Sequence, residues 1–491
     1  MKIMKKRLKI VKRFEKREKS NYPGFKIRDI FARSHLWKWA WGVGLISSLS
    51  LVFLLPPTSE ITFFNKLGMI ILITFFVIIF FIYLWRFWVQ FLIPKPLSLC
   101  AILIISMALM GRIIILLPQV SNYFIPIAFL SILGSLLFAP SLSVLVTLLF
   151  SILFSINAAS LNLMPVLVMG GIVGAYSATF VHQRTDLTKG GLYVGTSNVL
   201  IILAVGLLAN YSFDHWDLLW GMGGGFFSSI LALTVLPYLE TYFGITTDIK
   251  LLELGNLNLP LLNRLSIEAP GTYHHTIMVA SLAEAGAEAL GANPLLVRVG
   301  AYYHDVGKIL RPHFFFENAG TGKNNYHDKM APNLSSMIVI SHVKDGIELA
   351  QRNRLPGLVT DIIRQHHGTG LIAYFYREAL KERGEEKESI HEENFRYPGP
   401  KPRTKESAIV MLADSVEAAF RFSAQKTLKG IQSQVKKVVN NKLKDNQLDE
   451  CDLTLGEIAR ISDAFVRILA GVIHTRGRYP EEMLKSQSVV G

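Results

Sequence analysis

Eight apolar runs fill most of the first 240 residues, at about 36–56, 67–93, 98–118, 123–138, 141–157, 161–181, 190–210 and 217–239. A helix of about 20 apolar residues crosses the hydrocarbon layer of a bilayer. Inside lipid every backbone N–H and C=O must be paired within the protein, which here means helices. The first half of the chain is therefore expected to be a bundle of membrane helices. The fourth and fifth runs are short and meet at Ala139-Pro140-Ser141. Residues 123–157 read either as two spans or as one broken or re-entrant segment.

Charge sets the orientation. Residues 1–38 hold 14 Lys/Arg against 3 Asp/Glu, a net +11 within a whole-chain charge of +14. Lys/Arg-rich flanks stay in the cytoplasm. A secretory signal would need a shorter apolar run and a small-residue cleavage pattern. A nucleic-acid-binding arm fits less well than contact with anionic lipid, because the segment runs directly into a span. Eight spans return the chain to the cytoplasm, with Arg86, Lys95, Arg184 and Lys189 on the inner side and Asp214 and Asp217 on the outer. The two cysteines, Cys100 and Cys451, offer no disulfide framework and fit a reducing compartment. Arg112 lies mid-span, where a charge requires a partner or water. Gly170, Gly174 and the glycines between 221 and 225 read as close helix contacts.

Residues 244–256 read as a linker, and from about 257 the chain reads as soluble and mainly helical. Helices are expected at 273–290, ending before Gly291, and at 293–304, 331–351, 356–367, 405–422 and 454–475. The charged, then Pro-rich stretch 381–404 reads as a loop.

Ten of the 13 histidines fall at or after residue 274. Imidazole and carboxylate are ligands for Fe, Mn, Co or Zn, and without cysteine in the cluster a structural zinc site is not expected. The order is a His at 274 or 275, His304-Asp305, His342, His366-His367 and Asp414. One His-Asp doublet is weak evidence, and a single histidine is more often structural than a ligand. The whole ordered set describes a centre for two metals. A carboxylate has two oxygens, so Asp305 is the expected bridge between them. Neighbouring helical side chains point about 100° apart, so His304 and Asp305 can serve one shared centre while His366 and His367 aim at different partners. Such a site leaves room for a bridging water, which attacks phosphorus in line once its pKa is lowered. Lys308 and Arg311 follow closely and can neutralise phosphate charge. His313, His327, His391 and His474 read as surface or supporting residues, with His327 the best placed to line the site.

The order of these ligands resembles the HD-domain phosphohydrolases. The phrases Glu268-Ala269-Pro270-Gly271-Thr272-Tyr273-His274-His275, Tyr303-His304-Asp305-Val306-Gly307-Lys308, His366-His367-Gly368-Thr369 and Tyr397-Pro398-Gly399-Pro400-Lys401-Pro402 look like the bacterial seven-transmembrane HD proteins of the PgpH type. Cys451-Asp452-Leu453-Thr454-Leu455 is similar to that subgroup as well. The resemblance implies hydrolysis of cyclic di-AMP to linear pApA with two divalent ions, usually iron or manganese. It implies His275, rather than His274, as the first ligand, completing the set with His304, Asp305, His342, His366, His367 and Asp414. Asp305, His304 and Lys308 are the expected catalytic residues, and Lys308, Arg311 and His327 the expected substrate contacts. His366-His367 lacks the Gly-Tyr-Pro element typical of HD proteins that cleave cyclic di-GMP.

The expected architecture is all-α. A basic segment (1–35) leads to an anchor span (36–56) and a seven-span bundle (66–243). The linker (244–256), an HD phosphohydrolase domain (257–480) and a tail (481–491) follow. Partners are cyclic di-AMP and membrane lipid, with a second copy of the chain as a further candidate and no nucleic-acid polymer. The location is the bacterial inner membrane with both termini cytoplasmic. About ten residues, Pro56 to Asn65, separate the first span from the bundle, where family members usually carry a large extracytoplasmic domain.

Overall fold

A computed structural model of the chain describes residues 36–54, 63–181, 183–209, 214–318, 326–382, 390–423 and 427–476. The basic segment, most of the short connection after the first span, and the C-terminal tail lie outside the described residues. The described chain is helical, with an isolated bridge between Leu371 and Arg396 and no longer strand pairing among these residues. It separates into two compact units that meet between Ile249 and Lys250.

The first unit holds α1 (Leu36–Leu54), α2 (Phe63–Phe87), α3 (Pro94–Leu116), α4 (Ile127–Leu137), α5 (Pro140–Asn157), α6 (Leu163–Ser177), α7 (Arg184–Leu208) and α8 (His215–Phe243). Five of them, α2, α3, α5, α7 and α8, are long and apolar enough to cross a membrane. The stretch 123–157 resolves into two helices. Proline at the first position of α5 suits a helix start, because its missing N–H would be unpaired there anyway. The chain turns at Phe138–Ala139, and α4 folds back on α5 so that Ser143 Oγ donates to the Ser131 carbonyl at 2.6 Å. At 11 residues α4 is far shorter than a bilayer span. It tolerates this because nine of its residues are buried against protein.

Some polar side chains of this unit pair across helices. The mid-span Arg112 donates to Asn157, whose amide in turn donates to the Phe53 carbonyl. Helices α7 and α8 form a close antiparallel pair along small residues. Asn198 Nδ2 donates to the Gly221 carbonyl at 3.0 Å, and a Cβ on Gly225 would lie 2.4 Å from the Gly195 nitrogen. Gly170 and Gly174 play the same part, against Asn198 and Ser131. Membrane helices gain nothing hydrophobic by leaving lipid for each other, so such close packing is what holds them.

The second unit continues through α9 (Asp248–Leu254), α10 (Pro260–Glu268), α11 (Pro270–Leu290), α12 (Pro294–Tyr303), α13 (Pro332–Arg352) and α14 (Gly357–Gln365). It ends with α15 (Ala373–Glu382), α16 (Lys405–Arg421), α17 (Leu428–Lys444) and α18 (Leu455–Arg476). The expected linker is thus partly helical. Leu251 and Leu254 of α9 are buried in the core of this unit, and the Leu254 carbonyl accepts from Tyr303 Oη at 3.0 Å.

Helix α11 is central and packs on α12, α16 and α18 through Val279, Leu282, Ala283 and Ala287. Helix α16 is buried on every side from Glu406 to Asp414, as a helix enclosed by others must be. Each fully buried Leu, Ile, Val or Phe contributes about 1.5–3 kcal/mol, so this core fixes α16 firmly. Three helices, α10, α15 and α17, were not expected. In α17 only Ile431, Val435 and Val439 are buried, a narrow stripe among lysines and polar residues.

Two substitutions test the small-residue seam. Gly225→Ala is expected to force α7 and α8 apart and destabilise the detergent-solubilised protein by about 1–3 kcal/mol. Gly68→Ala, with nothing within 4 Å of the added carbon, is expected to leave thermal unfolding unchanged.

Candidate metal centre

Two of the site's blocks sit where helices stop. Helix α12 ends at Tyr303, so His304 is its cap residue and Asp305 leaves helical geometry at φ −110° and ψ 13°. Helix α14 ends at Gln365, and His366 and His367 precede Gly368, whose φ of 55° turns the chain away. Glycine adopts that left-handed conformation without strain. The other three candidates, His275, His342 and Asp414, project from within α11, α13 and α16.

The seven residues meet in two groups. His275, His304 and Asp414 form one, and Asp305, His342, His366 and His367 the other; within each group the ligand atoms lie within 4.8 Å of one another. Asp305 joins them. Its Oδ2 lies 3.5 Å from His275 Nε2 and 3.3 Å from His304 Nε2. Its Oδ1 lies 3.2 Å from His342 Nε2 and 3.7 Å from His366 Nε2. Asp414 spans the groups too, with Oδ1 3.1 Å from His275 Nε2 and Oδ2 3.7 Å from His367 Nδ1. The two adjacent histidines thus aim at different carboxylates.

Hydrogen bonds behind the rings select the nitrogens that point inward. The Nδ1–H groups of His304, His342 and His366 donate to the carbonyls of Ala301, Val339 and Ile363, at 2.7, 2.5 and 2.8 Å. Each partner lies three residues earlier in the chain, so the backbone fixes each tautomer. His275 Nδ1–H instead donates to Glu417 Oε2 at 2.5 Å. Glu417 is also held by Arg421 at 2.8 Å. A ligating histidine whose other nitrogen is bonded in this way is oriented and made more basic.

Burial lowers the pKa of His366, to about 4, despite the pull of Asp305. Burial and the neighbouring His366 also hold His367 well below its ordinary value. Both rings are therefore neutral at pH 7, the form that binds metal. Burial would lower His275 as well, but hydrogen bonds to Asp414 and Glu417 outweigh it and raise the pKa to about 9. Burial would raise Asp305, yet Lys308 and His304 hold it well below the usual carboxylate range. Asp414 is lowered by His275 and His367 against the same burial.

The donor set fits divalent cations. His304 Nε2 and Asp305 Oδ1 are buried and find no hydrogen-bond partner within the protein. Such orphaned atoms carry a desolvation cost unless something binds them. Five imidazoles and two carboxylates, with no thiolate, suit Fe, Mn, Co or Zn.

The other expected residues lie outside the two ligand groups. His274 is exposed, so the buried His275 takes the first position. Lys308 Nζ lies 2.7 Å from both Asp305 Oδ2 and Glu317 Oε1 and sits over the Phe315 ring, which commits it to the protein. These two carboxylates raise its pKa against the effect of burial. Arg311 pairs with Asp345 at 2.7 Å and Ser341 at 2.5 Å, on the flank of α13. His327 is buried among Phe314, Phe316 and Phe375, with Nε2–H donating to the Phe314 carbonyl at 2.7 Å. Neither Arg311 nor His327 joins either ligand group.

Three supporting residues escaped the sequence reading. Glu417 is three positions beyond Asp414 and so shares its helix face, a signal that was available. Glu317 anchors Lys308 and accepts from Thr272 Oγ1 at 3.1 Å. Tyr397, from the Pro-rich stretch, stacks on His367 with ring centroids 4.2 Å apart.

Metal content tests this arrangement. Asp305→Ala removes the carboxylate shared by both groups and is expected to lower bound manganese from two ions per chain to one or none. Arg311→Ala is expected to retain both; equal loss from the two variants would show that Asp305 is no bridge. Glu417→Gln is expected to weaken one of the two ions by roughly 10- to 100-fold, as loss of an orienting partner does. A competitive chelator titration reads this directly.

Comparison with known proteins finds relatives of both units. A model described as 7TM receptor with intracellular HD hydrolase matches residues 63–247, and the HD domain model matches residues 272–419. The Bacillus subtilis cyclic-di-AMP phosphodiesterase PgpH is 44% identical over 321 residues, covering 65% of this chain and 44% of that protein. The Listeria monocytogenes protein of the same name is 40% identical over 345 residues, covering 70% of this chain and 47% of that protein. A crystal structure of the L. monocytogenes PgpH HD domain in complex with cyclic-di-AMP shares 46% identity, covering 44% of this chain and 99% of that one, with a TM-score of 0.42. The chain spans under half the length of the curated relatives it matches. With its membrane region and its HD domain matched in that order, the chain belongs to the seven-transmembrane HD-domain family.

Proposed function

We propose that this protein is a membrane-anchored, metal-dependent phosphodiesterase that hydrolyses cyclic di-AMP to linear pApA. The observation that carries the reading is Asp305, one carboxylate facing two ligand groups with a separate oxygen each. Two divalent cations held there, manganese or iron by their ligand preference, supply a water of lowered pKa and a clamp for the phosphate oxygens. The protein's own part is positional. Backbone carbonyls hold three imidazoles with Nε2 inward. Lys308 and Glu317 fix the Asp305 carboxylate, and Tyr397 fixes the plane of His367. Burial excludes bulk water, which strengthens every charge interaction within the site.

The choice of cyclic di-AMP rests on the two curated relatives bearing that activity in their names. The absence of a Gly-Tyr-Pro element after His366-His367 supports it over cyclic di-GMP. The membrane part of the reading is eight spans in the bacterial inner membrane with both termini cytoplasmic. Eight apolar helices support the count, and the Lys/Arg bias of the first 38 residues supports the orientation. Exposed Phe63, Ile71, Phe75 and Trp85 along α2 suit contact with lipid.

The test is a hydrolysis assay on the full chain in detergent with manganese, offering cyclic di-AMP, cyclic di-GMP and a guanosine polyphosphate side by side. Selective conversion of cyclic di-AMP to pApA is expected, with activity lost on chelation and restored by manganese. Intact cyclic di-AMP after incubation with the two-metal protein would overturn the substrate assignment.

A further inference from the structure

We propose that Lys442, near the C-terminal end of α17, binds a phosphoryl oxygen of the substrate at the mouth of the metal centre. This rests on the phosphodiesterase reading and adds to it a residue outside the ligand set.

The mouth is identifiable from exposure. The His367 side chain keeps 21% of its surface and that of Asp414 10%, whereas His304, His342 and His366 keep no more than 1%. A ligand therefore enters over His367 and Asp414. Lys442 reaches that side. Its Nζ lies 3.5 Å from where a Cβ of Gly370 would stand, above the turn in which Gly370 N–H donates to the His367 carbonyl at 3.0 Å. Asp414 is among the carboxylates whose charge acts on it.

The ammonium is held near these groups without being used by them. Lys442 is half-buried and has no hydrogen bond or ion pair among the described residues. The nearby Asp445 is already engaged, accepting from Arg396 at 2.9 Å and from Gln447 Nε2 at 3.0 Å. Asp414 faces His275 and His367. The same contacts make the support rigid. Arg396 also donates to the Thr369 carbonyl at 2.8 Å, and Gln447 Oε1 accepts from Thr369 N–H at 2.9 Å. The turn after the histidine doublet and the end of α17 are thus tied together, with Lys442 between them. Burial pushes the Lys442 ammonium below its ordinary pKa, against the pull of Asp414 and Asp445. A phosphodiester anion offers the missing acceptor, and lysine binds phosphate as a compact point charge.

The experiment measures inorganic phosphate binding to the full chain in detergent, loaded with manganese, by calorimetry. Lys442→Met is expected to keep two manganese ions and weaken phosphate binding by about tenfold or more. It is also expected to raise KM for cyclic di-AMP more than it lowers kcat. Lys442→Arg is expected to recover most of the affinity, and Lys437→Met, on the exposed face of the same helix, to match the wild type. If Lys442→Met loses helix content, Lys442→Gln is judged by the same criterion. Unchanged phosphate affinity in a variant that retains both ions would overturn the proposal. Weakened phosphate binding in a protein whose wild type spares cyclic di-AMP would sustain Lys442 and remove only the substrate assignment.

Discussion

One carboxylate organises the catalytic unit. Asp305 turns one oxygen to His275 and His304 and the other to His342 and His366. An ionised carboxylate that is 1% exposed is costly unless surrounding charge compensates it. Lys308 supplies one fixed positive charge, and cations between the histidines would supply the rest. His366 and His367, which burial keeps neutral, do not compete for that role; they offer lone pairs to a cation. The same low-dielectric surroundings that make Asp305 expensive make its attraction for cations strong. The site is therefore unfavourable as bare protein and favourable as a metal centre, and the arrangement of the unit around it follows from that.

The helices serve this geometry in two ways. Long buried helices, α11 and α16, carry His275 and Asp414 on rigid rods whose positions the core sets. Helix ends carry the doublets, because within a helix two neighbours diverge by about 100° while at its end the backbone is released to bring both inward. Gly307 shows how tight this is. A Cβ there would lie 1.9 Å from the His342 carbonyl oxygen, so α13 approaches the Asp305 turn at backbone distance. The site sits on elements whose spacing tolerates no added carbon at that point, the precision a metal centre needs.

What the sequence disclosed follows the range of the forces involved. Apolar runs report directly on burial, so the eight helices of the first unit were legible, including the break at Ala139-Pro140. The candidate cluster was legible because His and carboxylate in this density have few other uses. The inner partner of each histidine was not, since a carbonyl three residues back is present in every helix and marks nothing. Tyr397 and Lys442 were hidden for another reason. Both reach the site from chain segments distant in sequence, one in a Pro-rich loop and one on a helix whose apolar stripe is only three residues wide. For Lys308 and Arg311, proximity in sequence to Asp305 does not reveal the protein partners each side chain takes. Lys308 turns inward to Asp305 and Glu317, and Arg311 turns to Asp345.

The two units are stabilised by different physics. The first has no hydrophobic gain from helix association in lipid, so its cohesion depends on glycine seams and on polar pairs such as Asn198 with Gly221. The second is built on a continuous apolar core, in which packed side chains hold discrete positions. Asp305, Lys308 and Glu317 lie within 46 residues of Thr272, and Thr272 N–H donates to Asn318 Oδ1 while Thr272 Oγ1 donates to Glu317. Thr272 and His275 share the first turns of α11, so a shift of that helix would move one candidate ligand directly and reach the Asp305 carboxylate a second time through Glu317 and Lys308.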